Sequence, residues 1–486
     1  MFTPENILPL VIILPLVAAV LIRLTGESNP NLREGITIVT SVVLLLLLLD
    51  LAPVVMEGGR PTFFIAEPFP GIPLQLTLEP LGMLFALVAG ILWIITSIYA
   101  IGYMRGHHEE NQTRFFMFFA IAISVTMGVT FSGNLLTLFV FYEALTLSTY
   151  PLVTHAGTDD ARRAGRVYMG ILLSTSIVFL LLAIIWTWWL AGTLDFRTGG
   201  ILAGTASEYL LSGLLLLFFF GVGKAALMPF HRWLPAAMVA PTPVSALLHA
   251  VAVVKAGVFS LLKVAVYVFG IDTLYTLPGR EWLLIVIAAS ILLASLTAMR
   301  KDNLKARLAY STISQLGYIT LGAALATSAG IIGGAMHIVM HAFAKITLFF
   351  AAGAILVAAH KTEISQLNGL GRRMPLTFAA FTIGSLSIIG LPPFGGMWSK
   401  WYLAMGTLEA EQLLLLATLM ISSLLNIAYL LPIPLRAFFG SSGDADKGIK
   451  EAPVNCLIAM IVTSVACLIL FLYPQPWFRM ASLIAY

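Results

Sequence analysis

The sequence has little charge and almost no cysteine. Of its 486 residues only 10% are charged, against about 25% in an average soluble domain, whereas 59% are hydrophobic. A water-soluble fold could not cover so much apolar surface. The two cysteines, Cys456 and Cys467, form neither a CxxC pair nor a cluster-binding pattern. We therefore expect no disulfide framework, no zinc site and no iron–sulfur centre.

Nucleotide-binding motifs are also missing. The sequence has neither a GxGxxG motif ahead of a soluble helix nor a GxxxxGK[ST] motif, so ATP or NAD is excluded as a direct energy source. No cofactor and no metal site is expected. The polar gaps between apolar runs are too short to fold as a soluble domain. Residues 1–486 are therefore predicted to form a single membrane domain.

Long hydrophobic runs recur from one end of the chain to the other. A span needs about 20 residues to cross a bilayer core of about 30 Å, and with connections this length of chain allows about 14 spans. The predicted fold class is an all-α integral membrane protein. Loops after odd-numbered spans hold 17 of the 27 lysines and arginines, and the opposite loops hold four. Because positive loops stay inside, we expect the odd loops in the cytoplasm and both termini outside the plasma membrane.

Two apolar spans are interrupted by glycine and proline beside a lysine. The interruptions lie at residues 221–229 in the seventh span and at residues 390–400 in the twelfth. Matched broken helices are typical of internal repeats that build ion sites at mid-membrane. Since five spans separate them, the second crosses in the opposite direction, and two inverted five-helix repeats are predicted. The expected units are flanking helices 1–3 in residues 1–110, the first repeat in residues 111–270, the second in residues 281–440, and a last helix at residues 453–473.

The apolar spans contain ionisable side chains. Each costs at least about 2.5–3.5 kcal/mol at the bilayer centre, so a functional role is the default expectation. Glu143, in the fifth span, is the only acid expected deep in the membrane. The basic groups in the spans are Lys224, His249, Lys255, Lys305, His337, His341, Lys345 and Lys400.

Three of these groups form a stripe on the eleventh span. His337, His341 and Lys345 are spaced four residues apart and therefore share one helix face. Imidazole exchanges protons near neutral pH, and a lysine can join it when burial favours the neutral amine. The stripe could therefore pass protons through water.

Glu143 and Lys224 suggest a switch. Opposite charges about 4 Å apart attract by about 4 kcal/mol at an effective dielectric near 20, so pairing would hold a proton on Lys224. If the carboxylate moved away, desolvation would release that proton to the next group. The expected path leads from Lys224 past His249 and Lys255 to Lys305, the stripe and Lys400.

Structural explanations stay open for several of these residues. A buried Glu143–Lys224 pair could serve only to fix helix packing, and the stripe could be a hydrogen-bond ladder. Lys263 and Lys305 could be anchors near helix ends whose ammonium groups reach the interface. His155, near a loop end, is expected to be solvated.

At these residues the sequence resembles the antiporter-like subunits shared by Mrp-type multisubunit Na+/H+ antiporters, respiratory complex I and membrane-bound hydrogenases. The resemblance covers about residues 75–405. It implies a 14-helix ion-translocating subunit in which Glu143, Lys224, Lys255 and Lys400 lie along a half-membrane water axis. It is carried by the stretches 134–143, 223–235, 240–249, 308–318 and 341–345.

Among these families, Lys255 and the short C-terminal segment look most like the D-type subunit of the Mrp antiporters. Some relatives have a glutamate where this chain has Lys400. Because only a short segment follows the last predicted span, we do not expect the long lateral helix that the terminal complex I subunit and the large A-type Mrp subunit carry. The resemblance implies partners: other antiporter-like subunits and small membrane subunits, in a lipid bilayer and without nucleic acid.

The first interpretation is a proton-translocating subunit of a sodium/proton antiporter. The alternative is the equivalent ion-pumping subunit of a complex I-like or hydrogenase redox complex, and only there would the chain take part in an enzymatic translocase reaction. A non-conducting anchor subunit and a single-chain transporter are less favoured. With one deep carboxylate and several lysines, no oxygen-rich sodium cage is evident, so sodium is expected partly or wholly at a neighbouring subunit.

Overall fold

The computed structural model describes residues 3–441 and 448–485. Lys447, one of the cations in the odd-numbered loops, lies outside the described residues. Within those residues the chain is mostly α-helical, and 11 helices are long and apolar enough to cross a membrane. The predicted helical membrane fold is confirmed, whereas the count of about 14 spans stays a prediction.

The helices follow one another with short connections. Proline begins α2, α3 and α13, where its missing N–H costs nothing. A π-helical turn, Ser176–Leu180, joins α6 to α7. The first eleven helices are α1 (Pro4–Thr25), α2 (Pro30–Met56), α3 (Pro80–Gly106), α4 (Gln112–Thr130), α5 (Leu135–Val153), α6 (Asp159–Thr175), α7 (Leu181–Ala191), α8 (Glu208–Gly221), α9 (Trp233–Ala236), α10 (Thr242–Ala246) and α11 (Val253–Lys263).

The remaining helices include one that follows the last predicted span. That helix, α21, is short and packs against α15 and α3. The ten helices of this part are α12 (Ile271–Thr276), α13 (Pro278–Arg300), α14 (Leu304–Leu325), α15 (Ser328–Ala359), α16 (Pro375–Ile389), α17 (Gly396–Glu409), α18 (Leu413–Leu430), α19 (Pro432–Phe439), α20 (Val454–Leu472) and α21 (Gln475–Ala485).

A β-hairpin between α2 and α3 was not expected from the sequence. Its strands are β1 (Thr62–Phe69) and β2 (Ile72–Thr77), paired antiparallel around Gly71, which has a φ of +76°. The hairpin also bonds to the loop between α4 and α5, because the Gly133 N–H donates to the Gln75 carbonyl oxygen over 3.0 Å. It thereby fixes the ends of three long helices to one another.

Both predicted helix interruptions are present. Helix α8 ends at Gly221, and a single 3-10 turn follows before the chain resumes as α9. Helix α16 ends at Ile389, Gly390 adopts a φ of +90°, and α17 begins only at Gly396. Because proline removes a backbone donor and glycine allows the left-handed conformation, these sequences cannot continue a regular helix.

A third interruption was missed. Between α10 and α11 the chain forms a π-helical turn, Leu247–Val251, and Ala252 has φ −121° and ψ −74°, outside the helical range. This segment contains neither proline nor glycine, so its residues carry no signal for a break. His249 lies in the π-helical turn, and such turns occur frequently at functional sites.

Helix α15 forms the centre of the bundle. Its residues are buried as far as Ile355, and it packs against α3, α14, α16, α17 and α20. Glycine permits the closest of these contacts, because a Cβ at Gly333 would lie 2.6 Å from the backbone nitrogen of Leu403 in α17. The stripe of ionisable groups on α15 is therefore enclosed by protein on all sides.

The expected solvation of His155 was wrong. The residue is 4% exposed, and its Nε2 lies 3.0 Å from the carbonyl oxygen of Glu110. Arg114 donates a hydrogen bond of 2.6 Å to the His155 carbonyl oxygen. His155 therefore ties the end of α5 to the connection that leads into α4.

Candidate functional site

The first part of the site lies where α8 ends beside α5. Lys224 is fully buried, and its Nζ donates to the carbonyl oxygen of Tyr142 over 2.8 Å and to Oγ1 of Thr146 over 2.6 Å. The same ammonium lies 3.2 Å from the centre of the Tyr142 ring. Two oxygens and an aromatic face therefore solvate the charge in place of water.

Glu143 is within electrostatic reach of Lys224 but does not form an ion pair with it. Among the described residues, neither carboxylate oxygen of Glu143 has a hydrogen-bond partner, and no ion pair joins the two side chains. The carboxylate still acts on the lysine electrostatically. The two side chains are therefore not directly paired in this structure, and the expected switch stays a prediction.

The central part of the site joins α11 to α15. Nζ of Lys255 lies 2.7 Å from Nδ1 of His341, and both side chains are buried. The rings of His341 and His337 are stacked, with centroids 5.7 Å apart. His337 continues the line, because its Nδ1 lies 2.8 Å from Oγ of Ser399 in α17 and its Nε2 lies 3.1 Å from Oε1 of Gln315 in α14.

Two predicted members of the path lie to one side of this centre. His249 packs its ring against Phe349, with centroids 4.6 Å apart. Lys345 and Lys305 are close enough to interact with it electrostatically. Lys305 is in the first turn of α14, partly exposed, and its Nζ donates to the carbonyl oxygen of Ala240 over 2.6 Å. Its position near a helix end leaves the anchor interpretation open.

The far part of the site lies at the interruption between α16 and α17. Nζ of Lys400 donates to the carbonyl oxygen of Ile389 over 2.9 Å and to Oγ of Ser423 over 3.0 Å. Ile389 is the last residue of α16, so the ammonium lies at the negative end of a helix dipole. Lys224 likewise follows the end of α8 by three residues. Each broken span therefore places a lysine beside the C-terminal end of its first half.

Unpaired polar atoms accompany this line of side chains. A buried polar atom without a partner costs about 1–3 kcal/mol, and native proteins usually satisfy such atoms with ordered water. The line is therefore suited to hold water between its ionisable groups. The buried atoms without a partner among the described residues include both oxygens of Glu143, both ring nitrogens of His249, Nε2 of His341, Nε2 of Gln315 and Nδ2 of Asn426.

The sequence interpretation missed a buried ion pair. Lys263 is fully buried rather than reaching the interface, and its Nζ lies 3.2 Å from Oε1 of Glu79, which is 4% exposed. The Tyr267 hydroxyl donates to Oε2 of Glu79 over 2.8 Å, and the carboxylate also caps α3. Glu79 is therefore a buried acid that the sequence interpretation did not single out. The acid directly before Pro80 was a helix-start signal that could have revealed it.

The comparisons with known proteins agree with this architecture. Residues 132–426 match the family described as NADH:quinone oxidoreductase/Mrp antiporter, TM. The chain is 30% identical to NADH-quinone oxidoreductase subunit N of Desulforudis audaxviator (strain MP104C), over 96% of this chain and 95% of that protein. It is 31% identical to hydrogenase-4 component B of Escherichia coli (strain K12), over 84% of this chain and 63% of that protein. It shares the fold of a chain in the Mrp complex from Dietzia sp. DQ12-45-1b, with a TM-score of 0.87 and 22% identity over 100% of this chain and 97% of that one.

The fold and the match define an antiporter-like membrane protein. The chain belongs to the NADH:quinone oxidoreductase/Mrp antiporter family. The resemblance drawn from the sequence is thereby confirmed at the level of the family, and so is a multi-pass integral membrane protein. Its relatives are subunits of multisubunit complexes, which supports partners of the same kind here.

Proposed function

We propose that this chain is the proton-translocating subunit of a multisubunit sodium/proton antiporter, with the D-type subunit of the Mrp antiporters as its counterpart. Glu143, Lys224, Lys255 and Lys400 are its main proton-exchanging groups. The observation that carries the proposal is the hydrogen bond of 2.7 Å between Lys255 and His341, which connects the two halves of the bundle at its centre. The auxiliary members of the path are His249, Lys305, His337, His341 and Lys345.

The first step takes place at Glu143 and Lys224. In the separated arrangement the charged lysine has only neutral oxygens and the Tyr142 ring as partners, so burial favours loss of its proton. When the carboxylate approaches, Coulomb attraction favours the charged ammonium again. Opening and closing of this pair would therefore release and reload one proton per cycle.

The second step takes place at His341. A charged Lys255 donates to Nδ1, so the neutral imidazole carries its own proton on Nε2, which is unpaired among the residues that the structure describes. The ring can accept a proton on Nδ1 and release the other from Nε2. His337 and Ser399 then lead to Lys400, which neighbours Ser399 in α17.

The two halves of this path correspond to the proposed inverted repeats, residues 111–270 and 281–440. Each contributes one broken span with a lysine at the break. We also propose that the protein lies in the plasma membrane with its basic loops in the cytoplasm and both termini outside, because of the charge bias of its loops. Other antiporter-like subunits and small membrane subunits would complete the complex.

Sodium is proposed to bind partly or wholly on a neighbouring subunit. In the described part of the chain, no group of three or more histidine, cysteine or acidic side chains is arranged to hold a metal ion. Sodium prefers several oxygen ligands, whereas the groups along the axis are mostly lysine and histidine. The proposed cargo of this chain is therefore the proton.

A second candidate is the ion-pumping subunit of a redox-driven complex. It is favoured by the match to a quinone oxidoreductase subunit over 95% of that protein's length. The same axis would serve there, with electron transfer in a partner as the energy source. The chain would then be part of a translocase enzyme.

The test uses membrane vesicles that contain the assembled complex, with a pH-sensitive dye inside. We expect Lys224→Ala and Lys400→Ala to lower sodium-driven proton movement at least about a hundredfold, since each removes a proton-transfer group. Lys450→Ala is the matched control, because that lysine is exposed in a loop. Undiminished exchange in both axis variants would remove these lysines from the mechanism.

A second arm of the test separates the two candidates. The same vesicles receive an electron donor, NADH or hydrogen, instead of sodium chloride. Proton movement on adding sodium supports the antiporter, whereas proton movement only on adding the donor supports the redox complex. Both responses should depend on Lys400.

A further inference from the structure

Helix α18 carries polar side chains on one face of an otherwise apolar span. Thr418, Ser422 and Asn426 are spaced four residues apart and buried, and Tyr429 follows on the same side. The opposite face is exposed, including Met420 at 60% and Leu424 at 64%. Burying polar groups is costly unless they find partners, so the partners of this row indicate what it does. We call Ser423, Asn426 and Tyr429 the α18 polar row.

One end of the α18 polar row is linked to Lys345 through Ser311 of α14. Nζ of Lys345 donates to Oγ of Ser311 over 2.8 Å. The Tyr429 hydroxyl lies 3.0 Å from the same oxygen and also hydrogen bonds to Oδ1 of Asn426. Lys345 is thereby connected to α18 and not to the imidazoles beside it on α15.

The other end contacts Lys400. Its Nζ donates to Oγ of Ser423 over 3.0 Å, and the Tyr318 hydroxyl lies 3.5 Å from that same oxygen. Asn426 lies one helical turn after Ser423 on the same face of α18. Its amide therefore stands between Tyr429 on the Lys345 side and Ser423 with Tyr318 on the Lys400 side.

We propose that the α18 polar row forms a second proton route, which connects Lys345 to Lys400 without passing through His341 and His337. The route uses the hydroxyl groups of Tyr429 and Ser423 in the row and those of Ser311 and Tyr318 on the neighbouring α14. Asn426 is a positioning residue that accepts a hydrogen bond from the Tyr429 hydroxyl. The inference rests on the proposed function, because it assumes that both lysines exchange protons.

The transfer conserves atoms and charge at every step. Lys345 gives a proton to Ser311 Oγ, which releases its own hydroxyl proton to Tyr429 Oη, and each later hydroxyl does the same until a neutral Lys400 accepts the proton. An amide does not relay protons in this way, so a water molecule held by Asn426 bridges the two tyrosines. Nδ2 of Asn426 is buried and has no partner among the described residues, which provides a donor for that water.

A neighbouring cluster provides a control with the same chemistry. Ser295, Ser314 and Ser422 join α13, α14 and α18 through hydroxyl contacts of 2.9, 3.1 and 3.2 Å. No hydrogen bond of this cluster reaches Lys345 or Lys400 among the described residues. Loss of a hydroxyl here tests whether helix packing alone explains an effect on transport.

The experiment measures sodium-driven or donor-driven proton movement, whichever the wild-type complex shows, in vesicles with equal amounts of assembled complex. We expect Ser311→Ala and Tyr429→Phe to lower the rate about tenfold or more, because each interrupts one proton-transfer step. Ser311→Thr keeps the hydroxyl and should restore at least about half of the lost rate. The controls are Ser295→Ala and Tyr99→Phe. Tyr99 is buried on α3, and its hydroxyl donates to the Phe350 carbonyl oxygen over 2.9 Å. Both variants should stay within about twofold of the wild type, since neither hydroxyl lies on the route.

The outcomes distinguish this inference from the proposed function. Full rates in Ser311→Ala and Tyr429→Phe, together with a loss in Lys400→Ala, would overturn the α18 route and leave the proposed function intact. Full rates in all three variants would overturn both. An equal loss in Ser295→Ala and Ser311→Ala would also overturn the route, because packing alone would then explain it.

Discussion

Nζ of Lys255 on α11 lies 2.7 Å from Nδ1 of His341 on α15. Both helices are buried along this stretch, so the two groups share a hydrogen bond in the interior of the bundle. Neither group has a carboxylate partner among the described residues. Since two adjacent positive charges would repel strongly at this depth, at most one of the two groups is expected to be charged at a time.

The first prediction concerns Lys255. In Lys255→Arg the side chain keeps its charge but does not release its proton, because a guanidinium stays protonated in proteins. We expect proton movement in vesicles to fall about a hundredfold in Lys255→Arg, as far as in Lys255→Met. Arginine at the exposed Lys450 is the control and should have no effect. A fully active Lys255→Arg would show that this position supplies a charge and not a proton.

The second prediction concerns the switch at Glu143. Glu143→Gln keeps the size of the side chain but removes the charge that would reload Lys224. We expect proton movement to fall about a hundredfold, with partial recovery in Glu143→Asp, in the same vesicle measurement. Glu208→Gln, an exposed acid at the start of α8, is the control. Normal assembly with full transport in Glu143→Gln would refute the switch.

The third prediction concerns stability at the Glu79–Lys263 pair. Lys263→Met leaves a buried carboxylate without its ion-pair partner, which costs about 3–5 kcal/mol. The double variant with Glu79→Gln should regain part of this loss. The measurement is thermal unfolding of the purified complex.

The matched control for that pair is Arg197→Met. Arg197 is 62% exposed and lies 4.0 Å from Asp195, so its loss should cost no more than about 1 kcal/mol. Equal unfolding temperatures for Lys263→Met and Arg197→Met would contradict a structural role of the buried pair.

The fourth prediction concerns pH. Burial lowers the pKa of His155, and the nearby Arg114 lowers it further, while the Glu110 carbonyl and Glu27 oppose the shift. The unfolded chain therefore binds the proton more readily than the folded one. Stability should fall as the pH drops below about 6.5, the ordinary value for histidine, and should be unaffected by this group above it.

The measurement compares unfolding temperatures between pH 7.5 and pH 5.5, conditions chosen on either side of about 6.5. His155→Gln should weaken the acid sensitivity, whereas His108→Gln should retain it because His108 is exposed in the loop between α3 and α4. An unchanged pH dependence in His155→Gln would show that other groups cause it.

Much of the architecture could be predicted from the sequence because its signals are local. Runs of apolar residues define spans, and the glycine and proline clusters after Phe220 and Ile389 mark two interruptions. The break at Ala252 has no such marker, since it results from a π-helical turn among ordinary residues. The hairpin was missed because its two strands lie in a short gap between long apolar runs.

The candidate site was only partly predictable, because partners come from distant segments. Spacing alone placed His337 and His341 on one face, but it could not show that they turn toward different helices. Ser311 and Tyr429 are 118 residues apart, and a serine or a tyrosine in an apolar span usually contributes only to packing. Their relation to Lys345 became visible only once the helices were placed together.

The exposed face of α18 bears on how well the protein keeps water and ions away from its buried polar groups. This single helix separates the α18 polar row from the outside of the molecule, where Leu413, Leu414 and Leu424 are 68%, 75% and 64% exposed. Under the proposed function, water that entered from that side would open a leak toward the proton route. The thickness of one helix is then the whole of the insulation on this side of the molecule.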